Sequence, residues 1–171
     1  MKRLLIFLAA LFASTVMMQA QNFKVENGNI YWQKIYEQDV DIKAMLINSG
    51  KFTDITQSNG MITARIKPAK VDANGRSAME IPIYIRDDHM TAFVRIQQKE
   101  NRYRVTVDQF VFIDMVDSPL GQQGEETSLE AYAIKRDGSL KPYFVNTASV
   151  IIDEALTSLF IPTNDLGNDD W

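Results

Sequence analysis

Residues 81–113, IPIYIRDDHMTAFVRIQQKENRYRVTVDQFVFI, carry the densest strand signal in the chain and decide its fold class. Apolar and polar side chains alternate with period two through Ile81–Arg86, Thr91–Gln97 and Arg102–Ile113, as on a sheet with one face buried and one wet. The links Asp87-Asp88-His89 and Gln98-Lys99-Glu100-Asn101 are polar, so the stretch reads as three successive strands joined by short turns. Phe110 and Phe112 interrupt the wet side late in the third strand. That end must be covered on both faces or carry a bulge, and the loop that follows and the last helix are the expected cover.

Working outward, Phe52–Thr56 and Met61–Lys67 flank Ser58-Asn59-Gly60, a hairpin signal because Asn-Gly tolerates the positive φ of a tight turn. The same dipeptide, Asn27-Gly28, separates Phe23-Lys24-Val25 from Ile30–Tyr36, which is rich in the strand formers Tyr31, Trp32, Ile35 and Tyr36. A short helix is expected over Val40–Ser49. Asp39 or Asp41 can cap it, Ile42, Met45 and Leu46 share one face, and Gly50 suits the position past its end. Pro68–Ser77 and Asp114–Thr127 read as loops, Ser128–Ile134 as a weak helical turn, and Asp137-Gly138 as a turn. The clearest helix is Thr147–Phe160. Ala148, Ile151, Ile152, Ala155, Leu156, Leu159 and Phe160 form one apolar stripe, Ser149, Asp153, Glu154, Thr157 and Ser158 lie opposite, and Asn146 serves as N-cap. The order is strand, helix, five strands, loop, helix. It reads as an α+β two-layer sandwich, an antiparallel meander backed by helices.

The ends and the composition bound the setting. Lys2 and Arg3 precede the apolar run Leu4–Ala13, and Ala20 offers a small residue for cleavage, so residues 1–20 read as a secretory signal peptide. The apolar run is shorter than the roughly 20 residues of a membrane span. Residues 21–161 are expected to form one α+β domain, and 162–171 a flexible acidic tail beyond Pro162. Loss of Lys2 and Arg3 takes lysine plus arginine from 18 to 16 against 22 acids, and the net charge from −4 to −6. Cysteine is absent, which excludes a disulfide framework, a thiolate nucleophile and a cysteine metal cluster. With no Asn-x-Ser/Thr acceptor either, the expectation is a bacterial envelope protein, periplasmic or secreted, with no membrane span in the mature chain.

The opening Phe23-Lys24-Val25-Glu26-Asn27-Gly28-Asn29-Ile30-Tyr31-Trp32-Gln33-Lys34-Ile35-Tyr36 resembles the start of a group of exported bacterial proteins. They form a domain of unknown function described as having a TATA-binding-protein-like (TBP-like) fold. The resemblance extends over about residues 23–115 and implies a curved antiparallel sheet backed by helices, β-α-β5-α, in the cell envelope. It brings no catalytic residue.

Chemistry-bearing motifs are sparse. Asp87-Asp88-His89 contains the sole histidine and is a tight polar turn before it is a metal corner, since adjacent residues point apart and nothing fixes a third ligand. No nucleophile elbow occurs, and Gly121-Gln122-Gln123-Gly124 lacks the lysine of a phosphate loop. Glu125-Glu126 and Asp153-Glu154 read as surface carboxylates. No cofactor and no metal are expected, and the chain reads as a non-catalytic binding module.

Parity along the strands sharpens this. Ile62, Ala64, Ile66, Ile81, Ile83, Ile85, Ala92, Val94, Ile96, Tyr103, Val105 and Val107 fall on the core face. The opposite face collects Arg65, Lys67, Tyr84, Arg86, Phe93, Arg95, Arg102 and Arg104, with Thr63 and Thr106 between them and Glu80 and Asp108 at the margins. Arginines beside aromatics suit anionic groups through forked hydrogen bonds and stacking, whereas a merely solvated face would carry the same residues to repel other sheet edges. The candidate partners are an anionic glycan, a lipid headgroup or another envelope protein. A net-acidic exported chain argues against nucleic acid. The alternatives are a small envelope hydrolase using carboxylates, and a structural subunit pairing through an edge strand.

Overall fold

The computed structural model describes residues 22–73, 75–115 and 123–162. The signal segment with its cleavage point, the tail beyond Pro162, and Pro119, Gly121 and Gln122 of the long loop lie outside the described residues.

The chain runs β1 (Phe23–Glu26), β2 (Asn29–Tyr36), α1 (Ile42–Ser49), β3 (Phe52–Ser58), β4 (Met61–Ile66), α2 (Ile83–Asp87), β5 (His89–Lys99), β6 (Arg102–Ile113), β7 (Glu126–Ser128), α3 (Leu129–Ala133) and α4 (Ser149–Leu159), the last entered through a π-helical turn, Phe144–Ala148. All strand pairs are antiparallel, in the order β1-β2-β6-β5-β4-β3, with β7 added to the far end of β6. The α+β class and the helix-backed antiparallel sheet are those expected. The element order differs, because β3 to β6 form the meander while the β1–β2 hairpin docks on the other side of β6.

Local chemistry accounts for most boundaries. Asn27 and Gly28, and again Asn59 and Gly60, take positive φ at the two hairpins. Asp41, not Asp39, caps α1 by accepting from the Ala44 N–H at 2.9 Å, and Gly50 closes that helix in the left-handed region. Alternate residues of β2, β4, β5 and β6 then point at α1 and α4. Trp32, Val94, Ile96, Tyr103, Val105 and Val107 are buried against Ile42, Leu46, Ile151, Ile152 and Leu156. Each such large apolar side chain contributes on the order of 1.5–3 kcal/mol by leaving water. Directional ties add to this. The Tyr36 hydroxyl donates to the Thr157 carbonyl, and the Tyr103 hydroxyl to that of Phe160, so the end of α4 is pinned to β2 and β6. Burial pushes the Tyr103 phenol up to about 12.

Three expectations fail locally. Ile81–Arg86 is not a strand. Pro82 cannot donate to a ladder, and its carbonyl instead accepts the Ile85 and Arg86 N–H groups at 3.0 Å, starting the single turn of α2. Ile85 is buried there, whereas Ile83, assigned by parity to the core, is 70% exposed. Asn146 is no N-cap, because it lies inside the π-helical turn that feeds α4. The loop after β6 also ends in a short strand, β7.

Phe110 and Phe112 are explained by a bulge. Ala92 alone spans the interval that Gln109 and Phe110 fill on β6, and Gln109 takes φ 51°. Inward parity therefore passes from Tyr103, Val105 and Val107 to Phe110 and Phe112, all fully buried on one face. Beyond the bulge α2 and α3 cover that end. Tyr84 stacks on Tyr132 at 4.0 Å, and both set an edge against Phe112.

Candidate functional site

Opposite the helices, the strands present a second face. Its residues are Tyr31, Gln33 and Ile35 on β2, Arg102, Arg104, Thr106 and Asp108 on β6, Phe93, Arg95 and Gln97 on β5, and Met61, Thr63 and Arg65 on β4. Register places Arg65 beside Phe93, Arg95 between Thr63 and Thr106, and Gln97 between Met61 and Arg104. Five of the eight residues expected at the site, Arg65, Phe93, Arg95, Arg102 and Arg104, do share this face.

The other three do not join them in the expected way. Tyr84 and Arg86 ride on α2, because the segment expected to be a strand is helical. Tyr84 is wedged between Tyr132 and Phe112, burial pushes its phenol up, and neighbouring Tyr143 and Tyr132 push it the same way. Arg86 forks onto its neighbour Asp87 at 2.6 and 2.7 Å. Lys67 lies just past β4 and donates to the Gly50 carbonyl at 2.8 Å, tying down the end of α1.

Three of the four remaining arginines fall into two groups, and Arg65 pairs across from Phe93. Arg95 forms an ion pair with Asp108, which is 6% exposed and whose Oδ1 has no hydrogen-bond partner among the described residues. Burial pushes the Asp108 carboxyl up, against the opposing pull of Arg95, and nearby Glu130 adds to the rise. Glu130 itself accepts the Ile30 N–H at 2.9 Å, where α3 fills the gap left as β2 and β6 stop pairing at Val107. Arg95 is thus half-buried and matched by a carboxylate. Sequence alone placed Asp108 at the margin, yet the hairpin register sets it beside Phe93, one step diagonal to Arg95. That register was the available signal.

At the other end, next to the β5–β6 turn, the balance is different. Ile35, Gln97, Lys99, Arg102 and Arg104 line a shallow hollow of about 250 Å³. Arg102 and Arg104 are exposed, Ile35 is 55% exposed, and Arg104 leans on the neutral Gln97 amide. Three cations meet here with no carboxylate among the described lining residues. Gln33 donates to the Thr106 hydroxyl at 3.1 Å, and the Thr56 and Thr63 hydroxyls meet at 2.7 Å, giving the middle of the face a polar, hydrogen-bonded surface.

The remaining motifs resolve as follows. His89 is the first residue of β5, paired with Ile113, and not part of a turn. Burial, then Asp114 and Asp87, push the Asp88 carboxyl up. Among the described residues no three His, Asp or Glu side chains converge as a metal site. Asp153 is not a surface residue. It is 6% exposed, and its Oδ1 accepts from Trp32 Nε1 at 2.7 Å and Asn22 Nδ2 at 2.6 Å. Its neighbour Glu154 takes a bidentate pair from Arg76 at 2.6 and 2.9 Å. Ser149, also assigned to the polar side of α4, is buried and donates to the Val145 carbonyl at 2.8 Å.

No helix among the described residues is long and apolar enough to cross a membrane. No protein-family model matches the chain, and no curated protein matches it. Two solved bacterial structures are similar to it. One is a TBP-like protein from Parabacteroides distasonis ATCC 8503, 14% identical with a TM-score of 0.47, the alignment covering 80% of this chain and 94% of that one. The other is a DUF4468 family protein from Bacteroides ovatus ATCC 8483, 11% identical with a TM-score of 0.45, covering 84% of this chain and 93% of that one. The TBP-like description is the one to which the resemblance of residues 23–36 points. The α+β class itself rests on the sheet and helices described above.

Proposed function

We propose that this chain is an exported, non-catalytic binding module that takes an anionic glycan on the open face of its sheet, with the charge seated at Lys99, Arg102 and Arg104. The observation that carries the reading is that three-cation hollow on an acidic protein. Exposed guanidinium groups offer forked donors that match carboxylate or sulfate. The hydrogen-bonding surface of Gln33, Thr63, Thr106 and Gln97, with half-buried Phe93 and Tyr31 on the same face, suits sugar hydroxyls and ring faces better than acyl chains. A lipid surface would be met by several protruding apolar side chains, and this face offers Ile35.

The alternatives find less support. A carboxylate hydrolase needs a free acid and a free base, whereas Asp108 is held by Arg95 and Asp153 by two neutral donors. Of the two edge strands, β1 is only four residues long, and β3 shifts register between Thr53 and Thr56 around Asp54 at φ 53°, a device that spoils a docking edge.

Retention on immobilised heparin tests the reading. The protein lacking residues 1–20 should bind at low ionic strength and elute as salt screens the contact. Replacing Arg102 and Arg104 with Gln should abolish retention while leaving the melting temperature unchanged. Equal retention of the double variant would sink the assignment.

A further inference from the structure

A second hollow lies on the other side of the sheet. The end of α4, the 67–72 loop and the end of α1 enclose a groove of about 390 Å³. Its floor is apolar, with Ile66, Val71, Met90 and Ala155 each less than a tenth exposed, and half-buried Leu159 forms one wall. Its rim carries Lys51, Lys67 and Lys70 against one carboxylate among the described lining residues, Asp72.

We infer that this groove holds a single-chain anionic amphiphile, a fatty acid in the simplest case, with the acyl chain on the floor and the carboxylate among the lysines. The volume lies within the roughly 300–1,000 Å³ of small-molecule sites. The lysine excess supplies the charge complement of an anionic head, and these long side chains can lay their methylenes along the tail. Part of the wall backbone is already engaged. The Lys67 N–H donates to the Lys51 carbonyl at 2.9 Å, and Ala69 and Met90 exchange N–H groups and carbonyls at 3.2 and 2.8 Å. Ser158, the one lining hydroxyl, donates to the Ala155 carbonyl. The floor side chains of Ile66, Val71, Met90 and Ala155 offer a peptide or a sugar no polar partner, whereas an alkyl chain asks for none. The groove is on the opposite side from Arg102 and Arg104, so this inference stands apart from the glycan reading.

The test is displacement of a fluorescent fatty-acid probe from the protein lacking residues 1–20, by decanoate and, separately, by the neutral alcohol decanol. Decanoate should displace the probe from the wild type. The exposed pair Lys51→Glu with Lys70→Glu should weaken decanoate by about tenfold or more, as reversal of two charges near the head predicts, while leaving decanol unchanged. Leu159→Gln should weaken both, and thermal melting of each variant checks that it is folded. Arg102→Gln with Arg104→Gln should leave decanoate displacement intact. The inference is overturned by failure of decanoate to displace the probe, by equal losses for acid and alcohol in the lysine variant, or by loss of decanoate in the arginine variant, which would seat the anion on the open face.

Discussion

Asp153 hangs from α4 on the covered face, 6% exposed, and its Oδ1 takes the Trp32 indole and the Asn22 amide. Asp108, equally buried, faces the other way, and meets a half-exposed guanidinium while its Oδ1 finds no partner among the described residues. The first carboxylate is met by neutral donors fixed in a packed interior, one on β2 and one just before β1. It therefore acts as a rivet between the last helix and the strands at the start of the fold. The second is balanced by a charge that water also reaches, and its carboxyl is pushed up by burial and by Glu130. The second arrangement therefore depends on pH.

The sharpest way to break this comparison is Asp153→Ala. It leaves a buried indole N–H and a half-buried amide without an acceptor behind α4, at a cost of about 2–3 kcal/mol. Urea unfolding at neutral pH measures it, and a loss below about 1 kcal/mol would deny the rivet. Next comes Arg95→Gln, which strands Asp108 with no cation. A loss of about 2 kcal/mol at pH 7 is expected, less than for a fully buried pair because Arg95 is half-exposed. The sign of the pH effect follows from the raised carboxyl. An acid whose folded pKa lies above its unfolded value favours the folded state once protonated, so the deficit of the variant should shrink as pH falls through the raised pKa. A deficit that stayed constant from pH 7 to pH 4 would mean that Asp108 is not the group being stranded. Asp108→Asn is smaller still, within about 1 kcal/mol, since it removes charge and desolvation cost together. Its informative readout is the difference from wild type, which should move in favour of wild type as pH falls.

The aspartates also show what the sequence could and could not tell. Period-two alternation located β5 and β6, and the break at Phe110 and Phe112 called for a bulge or two-sided cover; the structure has the bulge. The apolar stripe located α4. A helical wheel, however, assigns Asp153 to solvent by its chemistry, and nothing local records that Trp32, 121 residues away, waits for its oxygen. Asp153 was misread because its partner is distant in sequence. Asp108 and Arg95 are only 13 residues apart across one hairpin, and register alone would have joined them. The failure at Ile81–Arg86 has a third cause. Six alternating residues fit a helical turn as well as a strand, and Pro82 decides for the helix. Tyr84 and Arg86 left the open face with it, which moved the basic surface toward the β5–β6 turn.

The finest probe of the comparison is Gln109, the residue that lets Asp108 and Phe110 be buried on opposite faces. Its φ of 51° is left-handed and its side chain is exposed, so no packing is at stake. Glycine there removes a conformational cost of about 1–2 kcal/mol. It gives back part of that through the greater freedom of the unfolded chain, so Gln109→Gly should gain about 0.5 kcal/mol in urea unfolding. Valine should lose more than glycine gains, because a branched Cβ resists this φ. The asymmetry is the point of the measurement. If valine were tolerated as well as glycine, β6 would have to run on without a bulge. Phe110 and Phe112 would then turn to the open face, Asp108 would lose the geometry that presses it against Arg95, and the contrast between the two aspartates would disappear.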